Sequence, residues 1–356
     1  MSAVNVRKGG TLTVLRDCLR YLSGREDLHV TALVHKRSLC DFPGIDYIEI
    51  PWSAGSWLKR LWCEWVSMNR ISKKLPETDL WLSLHDTTPR VKALRQAVYC
   101  HTSFPFMKPG LRDFLMDYKI PLFCLFTKYA YRWNVKKNRY LIVQQEWLRE
   151  GVGSLVSFPR ERIIVAPPSF SLPEITESPT APPMFLYVGT PDCHKNFETL
   201  CEAARLLESR CGKGSFRVVL TIKGDENRYA QWLRRRWCHV DSIEFRGYLS
   251  REELTKFYGE ASCLVFPSRI ETWGLPISEF QGTGKPMILA DMPYAHGAAG
   301  GASKAAFFPV RDADTLSRLM QEVIEKKDGA FSAVPLPECG APYAEDWDSL
   351  FDILLK

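Results

Sequence analysis

The sequence predicts an α/β protein of two domains, each a parallel sheet covered by helices on both faces. Three observations lead there. The 356 residues exceed what a single core of ordinary size holds. Short apolar runs alternate with segments of helical periodicity through both halves, as in sheets joined by crossover helices. A Pro/Ser/Thr-rich stretch, 167–183, interrupts that alternation near the middle.

Residues 11–22 carry apolar side chains at helical spacing and open the first domain after a strand confined to residues 1–6. That strand is very short, or the recorded start lies inside it. Strands are expected at 29–35, 46–50, 79–84, 96–100, 140–144 and 162–166. The second series has strands at 184–188, 217–223, 242–245, 263–266 and 286–290, and helices at 197–209, 227–237, 251–261, 277–282 and 313–327. An amphipathic helix over 344–354 closes the chain. The domain limits read from this are 1–168, a linker 169–183, a second domain 184–340 and a terminal helix segment 341–356.

Composition excludes several classes. Hydrophobic residues make up 46%, enough for two cores, and the charged fraction of 25% argues against disorder. Eleven cysteines, an odd number without a CxxC pair, sit mostly in apolar runs such as those of Cys100, Cys124 and Cys263. This is reduced-thiol usage, not a disulfide framework or zinc site. No secretory signal and no apolar run of membrane-span length is visible, so the expected location is the cytoplasm, at the inner face of the cytoplasmic membrane. The net charge of +6 is spread along the chain, without the basic stripe or module of a nucleic-acid binder.

The most informative segment is Ile270-Glu271-Thr272-Trp273-Gly274-Leu275-Pro276-Ile277-Ser278-Glu279. It follows the apolar run 263–266, so Glu271 falls at a strand's carboxyl end and Glu279 in the first turns of a helix. Open α/β sheets bind ligands at that edge. Gly274, Leu275 and Pro276 lead into the helix, whose N-terminal amides suit a phosphate. The plain alternative for Glu279 is a carboxylate that only complements the helix dipole.

Taken in order, Phe185-Leu186-Tyr187-Val188-Gly189, Lys195-Asn196, Lys223-Gly224, Arg246-Gly247-Tyr248, Phe266-Pro267-Ser268-Arg269, the Glu271 to Glu279 segment and Gly284-Lys285-Pro286 resemble the retaining GT-B glycosyltransferases of the family 4 type. The strong resemblance covers roughly 184–320. Gly9-Gly10 and Val98-Tyr99-Cys100-His101 resemble that family's glycine loop and active-site histidine.

The resemblance implies two facing Rossmann-like domains, a C-terminal crossover helix with Trp347 and Phe351 as packing residues, and a nucleoside diphosphate sugar as donor. It implies catalytic roles for Glu271, His101 and Lys195. Donor binding falls to Gly9, Gly10, Lys195, Arg269, Thr272, Gly274, Leu275, Pro276 and Glu279, with Glu271 on sugar hydroxyls and Glu279 on the ribose. Nucleobase contacts are expected from backbone near Lys223-Gly224 and Tyr248-Leu249. Thr190 stands where many relatives carry Arg, so phosphate binding would lean on Lys195, helped by Arg269 or Arg246. No metal and no cofactor are expected.

The implied reaction transfers a mannosyl-, rhamnosyl-, fucosyl- or N-acetylhexosaminyl-like unit, with retention, to a hydroxyl of a growing oligosaccharide on a polyprenyl carrier. His85-Asp86 would line the acceptor side. Two stretches, 52–65 and 114–137, mix aromatics with Lys and Arg and suit a peripheral membrane contact; packing helices with a solvated basic face are the plain alternative. An inert nucleotide-sugar-binding protein, an epimerase and a phosphorylase of the same architecture are the rival readings.

Overall fold

The computed structural model describes residues 1–168, 175–176, 178 and 180–356. The expected linker falls largely on 169–174, 177 and 179, outside the described residues. The chain divides into two compact units. Unit 1 comprises Met1–Phe106, Leu125–Phe170 and Cys339–Lys356; unit 2 comprises Met107–Cys124 and Ser171–Glu338.

Unit 1 is built on seven strands: β1 (Ser2–Ala3), β2 (Val30–Val34), β3 (Ile45–Glu49), β4 (Leu80–Ser83), β5 (Arg95–Tyr99), β6 (Tyr140–Val143) and β7 (Ile163–Val165). Their order is β3-β2-β1-β4-β5-β6-β7, with every pairing parallel. β1 spans only two residues, yet it registers against Leu33, Val34 and Ser83 and sits where the strand order reverses.

Helix Gly9–Ser23 buries Leu12, Leu15, Cys18, Leu19 and Leu22, one stripe at three- and four-residue spacing. Helix Trp347–Leu355, capped by Asp346 accepting from the Ser349 amide, packs on the same face. Trp347 Nε1 donates to Asp17 at 3.0 Å, and the Phe351 ring lies 5.6 Å from that of Tyr21.

Unit 2 carries β8 (Met184–Tyr187), β9 (Arg217–Leu220), β10 (Ile243–Phe245), β11 (Cys263–Phe266), β12 (Met287–Ala290) and β13 (Ala305–Phe308). The order β10-β9-β8-β11-β12-β13 is again parallel throughout and reverses between β8 and β11. Strands β8, β11 and β12 are buried along their whole length, which is why they read as unbroken apolar runs.

The α/β class and paired parallel sheets stand as the sequence predicts, and three of the differences in detail have a physical reason. β13 was not anticipated, because Ala-Ala-Phe-Phe lacks the β-branched signature. The helix after Gly274 begins at Leu275, two residues early, because Pro is favoured in a first turn. Segment 107–124, expected in the first domain, belongs to unit 2, where the carboxylate of Asp113 finds the guanidinium of Arg269.

Candidate functional site

The strand order reverses between β8 and β11, and the carboxyl ends of the strands at such a reversal are the usual ligand site of these sheets. Two loops meet there. The one after β8 contains the short turn Cys193–Lys195, and the one after β11 runs from Pro267 to Gly274. Lys195 Nζ donates to Glu271 Oε1 at 2.6 Å, with both side chains 15% exposed. Sequence reasoning named both residues, and the structure brings them together.

Neighbouring groups hold this contact in place. Tyr187 OH, at the end of β8, donates to the Lys195 carbonyl at 2.7 Å and lies 2.9 Å from Ser268 Oγ. Tyr294 OH donates to the Ser268 carbonyl at 2.7 Å. Asn196 Nδ2 reaches the carbonyls of Pro267 and Val310 at 2.9 and 2.6 Å. Burial pushes both tyrosine hydroxyls well above their ordinary range, so they remain neutral donors. Tyr187, Asn196 and Tyr294 were not named as site residues, although Tyr187 and Asn196 stand within the motifs that carry the resemblance; Tyr187 ends β8, Asn196 follows the Cys193–Lys195 turn and Tyr294 lies in helix Pro293–Ala298.

Glu279 sits in the second turn of its helix rather than the first, so simple complementation of the helix dipole does not explain it. Its Oε2 accepts from Tyr258 OH at 2.8 Å. Gly274 has φ +99, a conformation that suits only glycine. Pro276 has no amide proton and the Ile277 amide donates to the Gly274 carbonyl, so this start is a thinner phosphate cradle than expected. Thr272, beside Glu271, is half-buried.

Arg269 requires reassignment. It was expected to help bind phosphate, yet its Nη1 donates to Asp113 Oδ2 at 3.0 Å and Nη2 to Asp113 Oδ1. Nη2 also reaches the Cys193 carbonyl at 3.2 Å, and the Arg269 amide donates to the His194 carbonyl at 2.8 Å. The residue therefore laces the Lys195 loop to the Glu271 loop, with its charge committed to a buried carboxylate. Backbone near Lys223-Gly224, expected to meet a nucleobase, is also engaged. The Glu226 carboxylate accepts from the amides of Lys223, Gly224 and Asp225 at 2.5, 2.8 and 3.1 Å.

In unit 1, His101 follows β5, with its ring stacked on Tyr99 at 4.5 Å and its amide donating to Asp86 Oδ1 at 2.5 Å. Its Nε2 is buried without a hydrogen-bond partner among the described residues. Desolvation lowers its pKa to about 3, so the imidazole is neutral at physiological pH. Gly9, at φ +69, opens the helix that follows β1, with Gly10 in its first turn.

His85 does not line an acceptor surface. It is fully buried, its Nε2 2.9 Å from Ser2 Oγ and its Nδ1 3.2 Å from Thr87 Oγ1. Glu64 completes that network, accepting from Arg60 Nε at 2.8 Å and Thr87 Oγ1 at 2.6 Å. Sequence reasoning missed it, because an Arg–Glu pair four residues apart reads as a solvated helix face.

Paired parallel sheets of this order match the fold of solved GT-B glycosyltransferases. The Anabaena protein Alr3699/HepE, solved in complex with UDP and glucose, shares the fold with a TM-score of 0.66 at 13% identity over 92% of this chain and 90% of that one. Residues 170–333, somewhat under half of the chain, match the family described as glycosyl transferases group 1.

It is similar to the O-antigen chain mannosyltransferase RfbU of Salmonella typhimurium, 21% identical over 65% of this chain and 61% of that protein. It is also similar to the O-antigen chain mannosyltransferase B of Escherichia coli, 25% identical over 43% of this chain and 44% of the other. The matches thus span about three-fifths of one relative and under half of the other.

Proposed function

We propose that the protein is a retaining, metal-independent hexosyltransferase. It would move a mannosyl-like unit from a nucleoside diphosphate sugar to a hydroxyl of a growing, lipid-linked surface oligosaccharide. The observation that carries this reading is the 2.6 Å Lys195–Glu271 contact at the β8/β11 reversal. The names of the two mannosyltransferase relatives support the sugar class and the glycan acceptor.

In this reading the C1–O bond to the diphosphate breaks while a bond forms from the acceptor oxygen to C1 on the same face. The acceptor proton passes to the departing phosphate. Charge is positive near C1 and negative on the leaving group in between, and the protein supplies electrostatic stabilisation and alignment. Lys195 offsets the diphosphate charge, and Glu271 accepts from donor sugar hydroxyls near C1. Glu279 binds the ribose diol, with Tyr258 holding one carboxylate oxygen. Gly274, Leu275 and Pro276, with Thr272, shape the phosphate end. His101, neutral and with a buried Nε2 lacking a partner, provides a hydrogen bond rather than a proton. Gly9 and Gly10 allow close backbone approach.

A peripheral membrane contact on the cytoplasmic side belongs to the same proposal. Among the described residues no helix is long and apolar enough to cross a membrane. Unit 1 does expose Trp52, Leu58 and Trp62 at 44, 79 and 59%, next to Lys59.

The test is transfer from nucleoside diphosphate hexoses to a polyprenyl-linked acceptor. Glu271→Ala and Lys195→Ala should each lower turnover more than roughly tenfold with the circular dichroism spectrum unchanged. Near-normal turnover in both variants would remove these two roles.

A further inference from the structure

Unit 2 contains a cavity of 590 Å³ that is separate from the Lys195–Glu271 contact and shares only Arg269 with the predicted donor residues. Its walls come from helices Leu111–Met116, Phe197–Cys211 and Arg228–Trp237 and from Arg311 and Ala313. The volume falls within the range of about 300–1,000 Å³ usual for small-ligand sites.

The chemistry of the lining is mixed in a particular way. Arg269 is paired with Asp113, and Arg112 with Glu198 at 3.1 Å. Glu202 accepts from Arg205 at 2.7 Å and from Trp237 Nε1 at 3.3 Å. Arg236 and Arg311 form no salt bridge among the described residues; Arg236 lies over the Trp237 ring at 5.2 Å with its charge acting on Glu202, and the charge of Arg311 acts on Asp113. In addition, Arg269 Nε is buried with no partner among the described residues, an uncommon state for a buried donor.

The remaining wall is aromatic. Trp232 is half-buried and meets Trp237 edge to face at 5.3 Å, with the Arg112 guanidinium 5.2 Å from its ring centroid.

We infer that this cavity binds an anionic saccharide, a sugar unit bearing a carboxylate. Guanidinium forks outside a salt bridge match a carboxylate in geometry and charge. The carboxylates of Glu198 and Glu202 accept from sugar hydroxyls, and they repel the single charge of a uronate less than the several charges of a polyphosphate. Trp232 also stacks with Tyr229 at 6.0 Å, and once Arg112 moves off its ring the apolar face of a pyranose has a surface to lie against. The cavity is thus a glycan-holding subsite, and its occupancy does not depend on the transfer reaction proposed above.

Calorimetric titration of the full chain with tetragalacturonate, against neutral maltotetraose, tests the assignment. Saturable binding of the acidic tetramer is expected, with maltotetraose roughly tenfold weaker or worse. Arg311→Glu and Trp232→Phe should each weaken the acidic ligand by a similar factor, while saturating UDP or GDP leaves it unchanged. Circular dichroism confirms that the variants fold. No binding of the tetramer, equal affinity in both variants, or displacement by a nucleoside diphosphate would each overturn the inference. Loss of binding in Arg311→Glu with turnover retained separates this subsite from the donor site.

Discussion

The Asp113–Arg269 pair links a segment from the first half of the chain to the loop that carries Glu271, and its strength can be worked from the structure. The two side chains are 4 and 10% exposed, and the guanidinium grips both carboxylate oxygens. The Gly110 amide adds a third bond to the carboxylate, at 2.7 Å. Asp113→Ala leaves the arginine buried with only the Cys193 carbonyl at 3.2 Å. Breaking one side of such a pair costs about 3–5 kcal/mol, and the residual exposure and the carbonyl place this case near about 3.

Replacing both partners by apolar residues, Asp113→Leu with Arg269→Met, removes the two burial penalties together. It should cost no more than about 1 kcal/mol. With the single variants Asp113→Leu and Arg269→Met as its other corners, each costing about 3 kcal/mol as Asp113→Ala does, the double-mutant cycle should therefore show a coupling of at least about 2 kcal/mol. The assay is urea unfolding of the full chain followed by circular dichroism, comparing midpoints at constant slope.

The pair also predicts a pH dependence. Desolvation raises the Asp113 pKa, but hydrogen bonds from Arg269 and Gly110 with nearby arginine charge outweigh it, and the carboxyl ends below its ordinary range. A depressed carboxylate contributes stability above its unfolded value of about 3.9 and loses it as pH falls through the folded value. The gap between wild type and Asp113→Ala should therefore shrink below about pH 4. A single-variant cost under about 1 kcal/mol, or additivity within about 0.5 kcal/mol, would show that segment 107–124 is not held to unit 2 by this pair.

Two further outcomes are expected. Gly274→Ala puts a Cβ at φ +99 and 3.1 Å from Ile277 Cδ1. It should cost about 1–2 kcal/mol in a thermal melt and lower transfer activity; an unshifted melt would show that the turn relaxes. In flotation with anionic vesicles at low salt, wild-type chain should rise with the lipid, and Leu58→Ser with Trp62→Ser should not. Wild-type protein left at the bottom of the gradient would count against the membrane contact.

What was legible in the sequence was local. β8 and β11 announce themselves because strands buried on both faces have no polar position to break the run. Glu271 was readable because it lies a few residues beyond such a strand, at the carboxyl edge, whereas Lys195 was reached through the resemblance of the motifs around it. The reassigned features are those decided by distant partners. Arg269 was read as a phosphate ligand because its match, Asp113, lies 156 residues earlier. The amides from Lys223 to Asp225 looked available because a carboxylate folding back from Glu226 leaves no mark beyond an ordinary acidic loop. Glu64 and Arg60 carry helix-surface spacing, yet Glu64 is fully buried against Thr87 and His85.

The Lys195–Glu271 contact bears on the proposed chemistry in a way that neither residue does alone. An ammonium has three N–H donors, and Glu271 Oε1 accepts one of them. Two remain for phosphate oxygens, while the second carboxylate oxygen of Glu271 stays available to a sugar hydroxyl. The pair can therefore persist through donor binding, and the two residues need not exchange partners during the reaction. Tyr187 fixes the lysine's backbone, and Arg269 laces the adjoining residues of both loops, so little reorganisation is required as charge builds on the leaving group. In the proposed reaction the Asp113–Arg269 pair would act without touching the donor: it sets the spacing of the two loops on which the lysine and the carboxylate stand.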